Sequence, residues 1–177
     1  MAFGDAGVKI FGLRQIKLVN AAGSATELLN AAQTMTFKER VKSGELSGND
    51  HTLAVVGFAD AVEWELEEGG ISIEAYALMT GRTLAAVAGT TPNQSLTLNA
   101  DAMTSFPYFK IYGKSVGDAG DDVHVKIYKA KIIGGIEGQF ADGEFFVSKC
   151  TGVAIDDGTT GIYDISHNET AANLPTS

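Results

Sequence analysis

Few residues in this 177-residue chain have types and spacings that could do chemistry. The run Gly113-Lys114-Ser115-Val116-Gly117 matches the G-x-S-x-G elbow of serine hydrolases, which needs a strand, a sharp turn and then a helix to expose the serine. The residues that follow, DAGDD, are turn formers, so Ser115 reads as a loop serine rather than a nucleophile. The same Gly-Lys-Ser lacks the first glycine of a phosphate-binding loop, because Tyr108 stands in its place. Asp118, Asp121 and Asp122 invite calcium, yet Val123 and Lys129 occupy the positions where a calcium loop needs its glycine and its final acid. His51, His124 and His167 have no partners at metal-ligand spacing, and Cys150 has no basic neighbour in sequence to lower its pKa. We expect no catalytic residue, no metal and no cofactor.

The elements that must position these residues follow mostly a period of two. In QTMTFKERV, Met35, Phe37 and Val41 share one face and Thr34, Thr36, Lys38 and Arg40 the other. In AVEWELEEGG, Val62, Trp64 and Leu66 face one way while Glu63, Glu65 and Glu67 line the opposite face, about 7 Å apart. Similar runs at GVKIFGLRQIKLVN, LAVVGFA, SLTLNA, PYFKIYG, DVHVKIYKAKII, EFFVSKCTGVAI and GIYDIS are separated by turn signals, which makes the chain mainly β. One segment breaks the period: ISIEAYALMTG has Ser72 as an N-cap, Ile71 and Tyr76 placed as a staple, and Gly81 as a C-terminal stop. Ile73, Tyr76, Ala77 and Thr80 would form the packed face of this short helix.

Composition narrows the function classes. Thirteen basic and twenty-two acidic residues give a net charge of −9, which argues against tight binding to nucleic-acid phosphates through a basic patch. Acidity concentrates after position 60: residues 61 to 108 hold one basic and six acidic residues, and 109 to 177 hold six and ten. The lone Cys150 cannot make an intramolecular disulfide, and the first residues show no signal-peptide pattern, so we expect an intracellularly made, single-domain protein over residues 1–177. No apolar run reaches the roughly 18–20 residues that span a bilayer, so no membrane partner is expected. The termini, residues 1–7 and 166–177, read as extended arms, mobile when alone.

Residues 42–52, KSGELSGNDHT, read as a polar, glycine-broken loop longer than ordinary connections of about 4–6 residues. Lys42, Ser43, Gly44, Glu45, Leu46, Ser47, Gly48, Asn49, Asp50 and His51 therefore ask for a partner.

Three stretches carry a resemblance: AVEWELEEGGISIEAYALMTG, PYFKIYGKSVGDAGDDVHVKIYKAKIIGG and GQFADGEFFVSKCTGVAIDDGTTGIYDISHNET. Their order is similar to that of the major tail tube proteins of long-tailed phages with non-contractile tails. The resemblance implies a β-sandwich or open β-barrel with one short flanking helix, assembling into hexameric rings that stack helically into a hollow tube. It implies that residues 42–52 form an inter-ring loop, that the arms add contacts, and that genomic DNA passes an acidic lumen without specific binding. Glu63, Glu65, Glu67, Asp118, Asp121 and Asp122 are the candidate luminal carboxylates. Implied partners are tail-tip or baseplate, tape-measure and tail-terminator proteins, and the implied location is the virion tail, assembled in the host cytoplasm. Related tubes serve contractile tails and tail-derived particles, so the resemblance fixes the role better than the machine. A carbohydrate-binding β-sandwich presenting Trp64, Tyr108, Tyr112 and Tyr128 is the alternative from another class.

Overall fold

The computed structural model describes residues 9–70, 72–102, 105–117 and 120–175. The period-2 segments become strands β1 (Ile10–Asn20), β2 (Thr26–Leu29), β3 (Ala32–Gly48), β4 (His51–Gly69), β5 (Phe109–Gly117), β6 (Asp122–Gln139), β7 (Val147–Ala154) and β8 (Tyr163–Asn168). They form one open antiparallel sheet in the order β2-β1-β5-β6-β7-β4-β3, with β8 added beside the first half of β6. The chain is thus mainly β, with one short helix, α1 (Ile73–Thr80), among the described residues.

Alternation puts Ile16 and Leu18 of β1, Val62, Trp64 and Leu66 of β4, Phe109 and Ile111 of β5 and Ile127 of β6 into a single core. Trp64 sets its edge against the Phe109 ring at 5.6 Å and lies over Gly152, its register partner on β7. A Cβ on Gly152 would stand 2.4 Å from the indole and 2.1 Å from the Lys131 carbonyl, so the ring's position requires a glycine there. The sheet curls far enough for Phe37 of β3 to meet Tyr163 of β8 at 5.5 Å.

Helix α1 has the expected caps: the Ser72 hydroxyl accepts from the Ala75 amide, and Gly81 takes φ 70°. Its buried face is not the expected one. Ala75, Met79 and Thr80 are buried, while Ile73, Tyr76 and Ala77 are only partly so. The short helix packs mainly on β1 and β2, which turns the stripe by about one residue from the sequence reading. Ile71, the other half of the expected staple, lies outside the described residues.

Three further expectations are corrected. SLTLNA forms no strand: it lies in the irregular segment between α1 and β5, where its pairing is limited to the isolated bridges Leu84↔Leu98 and Ala88↔Ser95. Residues 42–52 are not a loop. β3 and β4 run on as one long hairpin, and only Asn49 and Asp50, at φ 50° and 64°, turn between them, the left-handed pair that a two-residue hairpin requires. Residues 166–175 are not a free arm either, since they begin within β8 and end with Leu174 buried. Residues 1–7 lie outside the described residues.

Candidate assembly surface

The longest structural feature outside the core is the outer part of the β3–β4 hairpin. Beyond Arg40 no other strand among the described residues flanks it: β3 pairs only with β4, and β7 begins its pairing with β4 at Val62. The register puts Lys42, Gly44 and Leu46 with Phe58, Val56 and Ala54 on one face of this ribbon. Val41, Ser43 and Glu45 lie with Ala59, Gly57 and Val55 on the other. Both faces therefore carry apolar side chains, and Leu46, Leu53, Val55, Val56 and Phe58 are all more than half exposed. Two-stranded ribbons are at best marginally stable in water, and strands apolar on both faces belong to sheets covered on both sides.

A bulge separates the ribbon from its root. Arg40 pairs with Ala61 and Val41 with Ala59, which leaves Asp60 as the extra residue. The Arg40 Nε sits 3.1 Å and the Lys42 Nζ 2.7 Å from its carboxylate. These hydrogen bonds hold the Asp60 carboxyl at about 2. Near the tip the Thr52 hydroxyl donates to Glu45, and His51 lies exposed beside the turn.

A second unpaired edge lies on β6. Its pairing with β5 ends at Ala130, so residues 131–139 bond only to β7. The turn that follows exposes Phe140 and Phe145, the latter 97%, beside Glu137, Asp142 and Glu144. The outer edge of β3 carries Lys38, Arg40 and Lys42. The four-stranded stretch β6-β7-β4-β3 thus has two free borders among the described residues, β3 with Glu39 and Glu45 set among its three cations and β6 with Lys131 as well as Glu137.

Glu63, Glu65 and Glu67 do line one face of this stretch, opposite the buried Val62, Trp64 and Leu66. They are not an unbroken acidic wall. Lys149 of β7 places its Nζ 2.8 Å from Glu65 and 3.5 Å from Glu67, and Lys38 stands opposite Glu63. The adjacent Glu68 turns inward, where burial pushes its carboxyl up against the opposing hydrogen bond with Ala31. The other luminal candidates do not join the stripe. Asp122 is fully buried and cannot face a solvent-filled channel, Asp121 bonds His167 at 2.9 Å, and Asp118 lies outside the described residues. Sequence could not reveal this, because Asp122 is buried by a segment some fifty residues away.

The remaining chemical candidates have ordinary surroundings. Ser115 lies within β5, not on an elbow, and its hydroxyl donates to the Gly12 carbonyl. Cys150 is buried 3.9 Å from the Met79 sulfur, with its thiol pushed up to about 12 by burial. His124 is buried with Nε2 3.2 Å from Asp122. Among the described residues, no group of three or more His, Cys, Asp or Glu could hold a metal ion, and no helix is long and apolar enough to cross a membrane. Trp64 and Tyr112 are 3% and 2% exposed, so neither presents a ring to a sugar. Tyr128 donates its hydroxyl to Asp164, and Tyr108 lies under Lys129 and Lys131. No protein-family model and no curated protein matches the chain.

Proposed function

We propose that the protein is a self-assembling structural subunit of a phage tail tube, in which copies close into hexameric rings and the rings stack into a hollow conduit. The observation that carries this reading is the β3–β4 ribbon, apolar on both faces and, among the described residues, unpaired on both edges. A long exposed apolar ribbon is an aggregation hazard unless an ordered partner covers it, and further copies of the same chain are the simplest such partner. The ribbon reaches the adjacent ring in the role first assigned to residues 42–52.

Within a ring, the free β3 border of one copy pairs with the free β6 border of the next. A heterologous contact of this kind repeats until it closes, which suits a ring and a closed barrel rather than a two-fold dimer. The stretch β6-β7-β4-β3 then recurs around the inner wall, and the Glu63 stripe faces the lumen. Carboxylates interleaved with Lys38 and Lys149 leave a weakly acidic surface, which repels DNA phosphates over the ~8 Å Debye length without holding them. Tail-tip or baseplate, tape-measure and terminator proteins are the partners of such a tube.

Negative-stain electron microscopy across a concentration series, with light scattering for mass, tests the reading. The expected result is rings or tubes on the order of 100 Å wide, six domains of ~16 Å gyration radius around a pore. Replacing residues 43–57 by a two-residue Asn-Gly turn leaves the root folded and abolishes stacking. Tubes unchanged by that replacement would remove the ribbon from the interface, and saturable binding to a glycan array would favour the carbohydrate-binding alternative.

A further inference from the structure

The C-terminal segment lies across β1 and β5 with the contacts of a bound peptide. The Ala172 amide donates to Asp122 Oδ2 at 2.7 Å, and the Ala172 carbonyl accepts from Lys114. Two residues on, Leu174 is buried against Val19 and Tyr112, and the Pro175 carbonyl accepts from Lys17 Nζ at 2.7 Å. Just upstream, Asn168 Nδ2 donates to the other Asp122 oxygen at 2.7 Å. Extended-peptide sites work in this way: main-chain hydrogen bonds supply affinity, and a pocket for an alternate side chain supplies specificity.

The receiving side is drawn from three neighbouring strands. Lys17 and Val19 come from β1, Tyr112 and Lys114 from β5, and Asp122 from β6, all on one paired sheet. Asp122 is fully buried, and a buried carboxylate is costly unless its hydrogen bonds are met. Lys114, at 2.8 Å, is its structural partner within the sheet. The Ala172 amide is the donor that only the tail supplies.

We propose that this face of β1 and β5, headed by Asp122, is a binding site for a short extended peptide. The peptide offers one backbone amide and carbonyl followed two residues later by a leucine, and the chain's own residues 172–175 are its resident, exchangeable ligand. The site is independent of the tube reading and works in a single copy.

The test uses the full chain. In the wild-type protein the Ala172 amide exchanges with solvent at least about 100-fold more slowly than an unprotected amide, and in the Leu174→Ala protein it loses at least tenfold of that protection. A labelled synthetic peptide of residues 168–175 binds the Leu174→Ala protein saturably at one per chain. It binds wild type at least tenfold more weakly, because that groove is occupied. A peptide carrying the same Leu174→Ala change does not bind. Asp122→Asn lowers peptide affinity in the Leu174→Ala background, provided circular dichroism matches the parent; if it unfolds, Lys17→Met serves instead. The proposal is overturned by an unprotected Ala172 amide in wild type, by no peptide binding to Leu174→Ala, or by binding indifferent to the peptide's leucine.

Discussion

Strand β4 contains two regions that sequence makes look alike and structure treats oppositely. At its root, residues 62–69 alternate between buried and solvent-facing positions, with Val62, Trp64 and Leu66 in the core. At its tip, residues 53–59, LAVVGFA, are more apolar still, yet every one is exposed. Hydrophobicity drives burial only where a neighbouring surface exists to exclude water. The root finds that surface in the core side chains of β1, β5 and β6, while nothing among the described residues covers the tip.

The contrast can be broken at either end. The largest effect is expected at the root: Trp64→Ala removes the ring that fills the space over Gly152 and should cost about 3–5 kcal/mol. A urea titration followed by circular dichroism measures it. A shift as small as that of a surface substitution would mean the root is not the organising core. At the tip, Phe58→Asp with Val56→Asp should change monomer stability by no more than ~0.5 kcal/mol and eliminate tubes in the microscope. If the pair instead unfolds the monomer, the ribbon is packed within one copy and the comparison fails.

A third, smaller effect concerns acid. Burial pushes Asp122 up, but bonds from Lys114, Asn168 and the Ala172 amide outweigh it, with His124 adding to them, and hold the carboxyl well below its usual 3.8. A depressed carboxylate stabilises above its unfolded pKa and loses that contribution as pH falls through the folded one. Ala172 protection should therefore be constant above about pH 5 and decline below 3.8, in a region that also holds Lys17 and the Asp121–His167 pair. Protection unchanged down to pH 2 would assign the tail's hold to Leu174 alone. The smallest effect is expected from Lys149→Met, which relieves an exposed pair of contacts to Glu65 and Glu67 and should leave the urea midpoint nearly unmoved.

Sequence made legible what a single chain buries. QTMTFKERV and AVEWELEEGG were readable as strands because one face of each meets the core, and Ser72 and Gly81 because caps are local chemistry. It failed where partners are remote or absent. KSGELSG shows no period-2 apolar pattern, so its continuity with β3 was hidden, although Asn49-Asp50 is an acceptable two-residue turn. The docking of Leu174 left one faint signal: it is the only large apolar residue after Ile165. As for the candidate luminal residues, the Glu63 stripe is visible from alternation, while its lysine bracing depends on the pairing of β7 with β4.

The bulge at Asp60 makes the ribbon a lever. Nine residues of β4 lie beyond it, roughly 30 Å of strand, so rotating the root by ~5° swings the tip by about 3 Å, comparable to one residue of register. The ion trio of Arg40, Lys42 and Asp60 sits at that fulcrum. In the proposed tube, small changes there would be read at the far end as a different helical pitch, with no contact at the tip itself altered.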